Sequence, residues 1–231
     1  TSLLDNRVTA NLALFHMEMS DFQVLEFTGV QFQTFNVDKA KSTGAELELM
    51  GRFHPNMTVN ASVSYTDARY PNDCDNNIDP TSSVAATVAT LCGAQLTNAP
   101  KWAGVMGVTY DGPLSSSGWG LVANVNVNYS GKRRTSTTPT ETTPPPHIPG
   151  STTLVALPFD WQEDYFKLNA RLGFKTPDER FTFEVWGTNL SNEITRGITA
   201  NTPLRGGNGL RSRVAFPEEP RTYGVTVRSK F

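Results

Sequence analysis

The 231-residue chain lacks any long hydrophobic run. Its most apolar stretch, residues 84–91, includes two threonines and is far shorter than the roughly 18 apolar residues that a membrane-spanning helix needs. Hydrophobic residues make up 38% of the sequence, which is low for a packed globular core. A helical membrane protein is therefore excluded.

The chain also has little net charge and only two cysteines. Twenty basic and 22 acidic residues are spread along the chain, so no basic surface for nucleic acid is indicated. The two cysteines, Cys74 and Cys92, lie close together in a polar segment, which predicts a local disulfide in an oxidising compartment. Two unpaired thiols are the alternative. Because the chain starts at Thr1 without a secretion signal, we expect an exported protein whose own N-terminus lies upstream.

Residues for catalysis or metal binding are few and scattered. His16, His54 and His147 fall on different predicted strands and loops, without metal-ligand spacing or a nucleophile elbow. The sequence therefore predicts no enzyme activity, no metal site and no cofactor.

The dominant pattern is an alternation of apolar and polar residues with a period of two. Residues 57–67, 119–129 and 165–174 alternate most clearly, and each predicts an amphipathic strand. The polar positions of the last two strands predict a set of side chains that line a wet interior: Asn124, Asn126, Asn128, Lys167, Asn169 and Arg171.

Weaker alternation in 7–20, 41–51, 102–110, 180–189 and 221–231 brings the prediction to about eight strands, with no competing helix pattern. In the first of these, the apolar phase shifts from Leu14 to Phe15, which predicts a β-bulge. The fold class is therefore all-β.

The connections between these strands alternate between long and short. The predicted long ones are 21–40, 68–101, 130–164 and 190–220, whereas tight turns are expected near Pro55, Gly112 and Pro177. Long structureless loops are uncommon in compact soluble domains. Long loops at one end and short turns at the other are typical of outer-membrane barrels, whose turns face the periplasm and whose loops face outwards.

Aromatic residues and the last strand also favour a membrane barrel over a soluble sandwich. Aromatics recur near both ends of the predicted strands, where the two lipid interfaces select them. The final strand carries Tyr223, Val225 and Val227 on one face and closes on Phe231. This ending resembles the signal that the barrel assembly machinery reads.

Several motifs, in order along the chain, resemble those of TonB-dependent receptors. Residues 42–49 (STGAELEL) are similar to the family's "kGvElE" strand and follow 36–40 (NVDKA) as expected. The later motifs are 64–68 (SYTDA), 98–102 (NAPKW), 186–193 (WGTNLSNE) and 220–231.

The resemblance implies the C-terminal part of a barrel of about 22 strands that spans the outer membrane and contacts lipid and lipopolysaccharide. Such receptors take up a scarce solute, such as an iron chelate, cobalamin or a saccharide, with energy supplied through TonB. The family's N-terminal plug and TonB box have no counterpart in residues 1–231. A passive porin, a small self-closed barrel and a soluble carbohydrate-binding β-sandwich are the alternatives.

Arginines in the last long loop form a candidate site for an anionic substrate. They could attract it to the outer mouth of the barrel. The alternative is a solvated loop that contacts lipopolysaccharide phosphates or pairs with Glu218 and Glu219. The arginines are Arg196, Arg205, Arg211 and Arg213, with Arg221 beside them.

Overall fold

The computed structural model describes residues 2–3, 7–27, 30–74, 81, 85–137, 140–141, 155–156, 158–204 and 213–230. Within these residues, no helix is long and apolar enough to cross a membrane. The main strands are β2 (Val8–Phe27), β3 (Phe32–His54), β4 (Met57–Arg69), β5 (Trp102–Pro113), β6 (Gly120–Ser130), β11 (Tyr165–Lys175), β12 (Phe181–Thr188) and β15 (Thr222–Ser229). The short elements are β1 (Ser2–Leu3), α1 (Ala85–Leu91), β7 (Arg133–Arg134), β8 (Thr140–Glu141), β9 (Val155–Ala156), a 3-10 helix (Pro158–Asp160), β10 (Trp161–Gln162), β13 (Arg196–Asn201) and β14 (Arg213–Pro217).

The main strands form one antiparallel sheet in the order β1-β2-β3-β4-β5-β6-β11-β12-β15. Each long strand pairs with the long strand that follows it in the chain, so the sheet is a continuous meander. The eight strands predicted from the alternating pattern are confirmed. In the described residues β15 pairs with β12 alone, so the sheet does not close on itself.

The connections at one end of the sheet are short, as predicted. Pro55 and Asn56 join β3 to β4, and residues 114–119 and 176–180 join the next two hairpins. In the last of these, the Thr176 hydroxyl donates to Asp178 at 2.6 Å and the Arg180 amide donates at 3.1 Å. Both bonds stabilise the carboxylate and lower the pKa of Asp178. We call the end of the sheet with these short connections the turn end, and the opposite end of the strands the loop end.

The prediction of a long loop at residues 21–40 is wrong. The pairing of β2 with β3 continues to Phe27 and Phe32, so this segment is a hairpin that extends beyond the neighbouring strands. Its polar residues, including Asp21 with a φ of 51°, interrupt the alternation that would have identified it. Its apolar residues are accommodated because Val24, Phe35 and Val37 are buried against the next loop.

The prediction of a bulge between Leu14 and Phe15 is also wrong. The register between β2 and β3 is unbroken from Val8 opposite Gly51 to Ser20 opposite Lys39. Instead, the face that carries Leu14 becomes polar at its next two positions, His16 and Glu18. The change of phase therefore marks where the strand leaves the apolar band, not an extra residue.

A small core at the loop end contains the predicted disulfide. Cys74 and Cys92 are bonded, across a sequence separation of 18. The helix α1 was not predicted, although Val88 and Leu91 stand at helical spacing and are both buried there. This core joins the loop 70–101 to the extended hairpin of β2 and β3.

Candidate functional site

One face of the sheet is a continuous apolar surface. The register places Leu12, Leu47, Val63, Gly104, Tyr129 and Phe166 in one row across six strands. This face is not covered by a second layer of the described residues, because Val63 is 40% exposed, Val125 47% and Leu168 36%. A soluble sandwich would bury these side chains between two sheets. An exposed apolar face of this extent suits contact with lipid.

Aromatic residues mark the two borders of the apolar surface. Towards the loop end, the Tyr65 and Trp102 rings lie 4.9 Å apart, and those of Tyr129 and Phe166 lie 4.8 Å apart. Trp119 lies just before β6, at the turn end, on the same face as Tyr129. These two residues are ten positions apart, which is about 33 Å along the strand at about 3.3 Å per residue. A strand tilt of about 40° makes this about 25 Å across the membrane, which is the usual height of the apolar band.

The opposite face is polar, and the structure brings the six predicted interior residues together on it. Asn169 donates to Asn126 at 2.8 Å, and Asn126 donates to Asn124 at 3.2 Å. Asn124 continues the row by donating to Thr109 at 2.7 Å. Asn128 lies opposite Lys167 in the register. These linked amides give the sheet a hydrophilic surface of fixed hydrogen-bonding geometry.

Arg171, the last of the six, belongs to a charged group that sequence reasoning missed. The Glu184 carboxylate is buried and lies 3.5 Å from the Arg171 guanidinium and 3.3 Å from that of Arg228. The alternation of β12 could have indicated this position, since Glu184 is the polar residue between Phe183 and Val185. A buried carboxylate between two arginines is well compensated in charge.

A second charged group lies where the loop segments meet the polar face of β11. Glu218 pairs with Arg133 and, at 3.1 Å, with Lys167, and it accepts a hydrogen bond from Thr195 at 2.7 Å. Burial alone would raise the pKa of Glu218. The hydrogen bonds from Thr195 and Lys167 and the nearby positive charges outweigh burial, so the pKa is lowered. Glu218 therefore connects the last loop to the wall as a carboxylate.

Asp160 is the centre of a third group and fixes one of the four predicted loop arginines. The Arg213 guanidinium lies 2.5 Å from the Asp160 carboxylate; Asp160 is buried, and the Arg213 side chain is 9% exposed. Thr199 on β13 donates to the same carboxylate at 2.7 Å. Arg196 lies over the Phe159 ring at 5.0 Å and donates to the Trp161 carbonyl oxygen at 3.0 Å.

These contacts involve two of the four arginines of the predicted anion-attracting loop. The Arg213 and Arg196 side chains both contact residues of other loop segments. Arg205 and Arg211 lie outside the described residues. Attraction of an anionic substrate by the four arginines stays a prediction. Arg134 is another cation in this part of the structure. Burial lowers its pKa to about 10, although the nearby Tyr70 and Asp160 act in the opposite direction.

The two histidines among the described residues both make hydrogen bonds to neighbouring strands or turns. The His16 ring bonds to the Thr43 hydroxyl at 2.7 Å, and His54 accepts the Asn56 amide at 3.3 Å. His147 is not among the described residues. Among those that are described, no three His, Cys, Asp or Glu side chains gather in a way that could hold a metal ion.

The predicted assembly signal lies on the last strand of the sheet. Tyr223, Val225 and Val227 project from one face of β15 and are strongly exposed. Phe231 is outside the described residues. Recognition of these residues by the assembly machinery stays a prediction.

Solved structures with the same fold include receptors and a transporter. The ferric yersiniabactin uptake receptor FyuA of Yersinia pestis superimposes with a TM-score of 0.68 at 22% identity, over 97% of this chain and 28% of the receptor. The siderophore receptor PiuA of Acinetobacter baumannii gives a TM-score of 0.61 at 19% identity, over 98% and 26%. The copper transporter OprC gives 0.58 at 14% identity, over 98% and 29%. The chain thus spans between a quarter and a third of the length of each of these proteins.

Sequence comparison identifies the family. No curated protein sequence matches the chain significantly. The family model described as TonB dependent receptor-like, beta-barrel matches residues 1–190. That family consists of receptors and transporters of the bacterial outer membrane. The chain belongs to the TonB-dependent receptor β-barrel family and is an outer-membrane protein.

Proposed function

We propose that this chain is the C-terminal part of the barrel wall of a longer receptor, which takes up a scarce small solute with energy supplied through TonB. The observation that carries the proposal is the open sheet with one exposed apolar face and one linked polar face. An open edge in hydrocarbon leaves backbone groups unpaired at a cost of several kcal/mol each. Further strands and an N-terminal plug would pair those edges and fill the interior.

The polar face supports passage and binding of solute without covalent chemistry. Asn124, Asn126 and Asn169 offer amide groups to a hydrated interior, and Glu184 and Glu218 are compensated by cations. These groups suit contact with water, with a plug or with a polar solute. We propose no catalytic role for any of them.

A ferric chelate is the first solute to test. The similar structures include a ferric yersiniabactin receptor and a siderophore receptor, while the copper transporter shows that another cargo can use the same fold. Cobalamin and saccharides are the other candidate solutes.

The proposed partners follow from the faces of the wall. Lipid and lipopolysaccharide would contact the apolar face, and the assembly machinery would read Tyr223, Val225, Val227 and Phe231. The TonB complex would act through the region upstream of the chain.

Uptake measurements in cells that express the full-length receptor test the proposal. We expect accumulation of a radiolabelled ferric chelate that stops when the proton-motive force is collapsed or TonB is deleted. Uptake that persists in de-energised cells would instead identify a passive porin. If residues 1–231 alone gave heat-modifiable migration in detergent, the alternative of a small self-closed barrel would be supported.

A further inference from the structure

Four consecutive polar residues are buried at the loop end, in the connection between β6 and β11. None of Arg133, Arg134, Thr135 and Ser136 is more than 5% exposed. Buried polar groups are nearly always hydrogen-bonded, and the partners of these four come from three connections that are far apart in the chain. We call residues 133–136 the central segment.

The connection between β4 and β5 supplies the first set of partners. The Asn98 amide donates to the Arg134 carbonyl oxygen at 2.8 Å, and the Thr97 hydroxyl donates to that of Ser136 at 3.1 Å. In the other direction, the Arg134 guanidinium donates to the Gln95 carbonyl oxygen at 3.0 Å. Backbone and side-chain bonds therefore join this connection to the central segment.

The connection between β12 and β15 supplies the second set. The Thr199 amide donates to the Thr135 carbonyl oxygen at 2.8 Å, and the two hydroxyl oxygens also lie 2.8 Å apart. Because the Thr199 hydroxyl donates its proton to Asp160, the Thr135 hydroxyl is the donor between the two threonines. Arg213 adds a bond to the Ser136 hydroxyl at 3.0 Å.

The remaining partners lie in the second half of the same connection and on the wall. The Thr135 amide donates to the Asp160 carbonyl oxygen at 2.8 Å. The Arg133 guanidinium donates to the hydroxyl of Tyr165, the first residue of β11, at 2.9 Å and pairs with Glu218. The central segment is therefore fixed to the wall as well as to the other connections.

The connection between β4 and β5 extends these contacts to the long hairpin of β2 and β3. Its disulfide core includes Val24 and Val37 of the hairpin. Tyr70 belongs to the same core and lies near Arg134. Burial raises the pKa of Tyr70, and the positive charge of Arg134 acts in the opposite direction. All four connections at the loop end are therefore joined through the central segment.

These connections lie on the polar side of the sheet. Ala68 has the same phase on β4 as Ser62, which is on the polar face, and Ala68 is only 5% exposed. On β11, Lys167 of the polar face pairs with Glu218 of the last connection. The connections therefore cover part of the interior face at the loop end.

Movement of one connection would break bonds that the central segment also needs for another. The Ser136 carbonyl oxygen accepts a bond from Thr97, while the Ser136 hydroxyl accepts one from Arg213. Displacement of either partner would leave a buried polar group unpaired, which is unfavourable because water does not replace the lost bond.

We propose that the four connections form one rigid cap, joined at the central segment, which makes this part of the receptor's outer mouth a fixed frame instead of a moving gate. The proposal rests on the membrane orientation given under the proposed function. Movement that admits solute at the outer mouth is then expected in loops that strands upstream of this chain would supply.

Hydrogen exchange of the purified full-length receptor in detergent, resolved to single amides, tests whether the cap is one unit. The reporter amides are those of Asn98, Thr135 and Thr199, which share one opening free energy if the cap opens as a whole. Thr135→Val removes the hydroxyl donor to Thr199 with little change of volume. We expect exchange at all three amides to become faster by the same factor, about fivefold, as loss of one hydrogen bond typically produces.

The Asn98 amide decides the outcome, because the Thr135 hydroxyl makes no bond to its connection. Faster exchange at Thr199 with a wild-type rate at Asn98 would show that the connections open separately and would overturn the proposal. The matched control is Thr176→Val, which removes a hydroxyl donor to Asp178 at the turn end and should leave all three rates unchanged.

A reciprocal variant repeats the test from the other side of the central segment. Thr97→Val removes the donor to the Ser136 carbonyl oxygen, and here Thr199 is the deciding reporter. Heat-modifiable migration shows that each variant folds, and Thr97→Val replaces Thr135→Val if that variant does not.

Distances between spin labels test whether the cap is fixed to the wall. One label at Ser117 on the turn end is paired with a second at Glu163 or Ile194, which are exposed positions of two connections. We expect one distance population for each pair, with and without ferric yersiniabactin as the probe. A second population in either condition would identify a moving gate and overturn the proposal.

Neither measurement depends on energised uptake. Loss of uptake with intact exchange and distance results would therefore count against the proposed function and leave the rigid cap standing.

Discussion

The middle of the sheet and the loop end are held together in different ways. Between β4 and β11, uninterrupted backbone pairing joins the strands, and few charges are buried. At the loop end, Arg133, Arg134 and Asp160 are all buried, and side-chain contacts join segments that are far apart in the chain. Regular backbone pairing tolerates exchange of side chains, whereas a buried charge depends on its partner. The two regions should therefore respond differently to substitution.

The largest effect is expected where a buried charge loses its partner. Asp160→Ala removes a buried carboxylate and leaves the Arg213 guanidinium, whose side chain is only 9% exposed, without its charge partner. Loss of one partner of a buried ion pair typically costs about 3–5 kcal/mol. We expect protection of the β13 and β14 amides against hydrogen exchange to fall by about a hundredfold or more in the full-length receptor. Glu163→Ala is the matched control, because Glu163 pairs with Lys132 in an exposed ion pair at 2.7 Å. Similar protection in both variants would show that the Asp160 contact does not anchor the hairpin.

In the middle of the sheet, the cost of adding a charge should differ between the two faces. Ala61 and Ser62 are adjacent small residues, with Ala61 on the apolar face and Ser62 opposite Glu48 on the polar one. Arginine at a lipid-facing position near the middle of the membrane costs about 2–4 kcal/mol. We expect Ala61→Arg to lower the free energy of unfolding in lipid vesicles by that amount and Ser62→Arg to lower it by less than about 1 kcal/mol. Equal losses from the two variants would contradict the assignment of faces.

The disulfide should act only on the loop that it closes. Cross-linking residues 18 apart in sequence stabilises by up to about 3 kcal/mol in the chain-entropy account. After reduction, we expect protease cleavage within residues 70–101 to become faster while the strands stay resistant. Equal cleavage of the oxidised and reduced proteins would mean that the apolar contacts of Val88 and Leu91 are sufficient to hold the loop.

The smallest effect concerns pH. Because the pKa of Glu218 is lowered in the folded protein, its stabilising contribution is present above the ordinary value of 4.5 and is lost as the pH falls through the lowered value. We expect hydrogen-exchange protection of β14 to decrease over this acidic range after correction for the intrinsic pH dependence of exchange. Glu218→Gln should remove most of the pH dependence, and a wild-type response in that variant would assign it to another group.

The strands of the wall could be predicted from the sequence and the contacts of the loop end could not, for a physical reason. Alternation is a local property, so the common face of Asn124, Asn126 and Asn169 could be predicted without knowing the fold. The pairing of Arg133 with Glu218 joins residues 85 positions apart, and no local pattern indicates it. The extended hairpin of β2 and β3 was missed because its polar residues resemble those of a loop.

Gly44 shows the same limit on a smaller scale. The motif 42–49 resembles the family's, but the need for glycine becomes visible only in the structure. There, the Phe15 ring and the Tyr65 backbone oxygen occupy the space that a Cβ atom would take. A contact between three strands cannot be read from any one of them.

The most direct measurement of the central claim is the lipid exposure of β6 in the full-length receptor. Spin labels placed singly at residues 121–129 report collision with oxygen, which concentrates in the acyl phase, and with a polar nickel chelate in water. We predict that oxygen accessibility is high at 121, 123, 125 and 127 and low at the positions between them. Accessibility without a period of two, or high oxygen accessibility at 124 and 126, would contradict the account of an apolar face in lipid and a polar face inside.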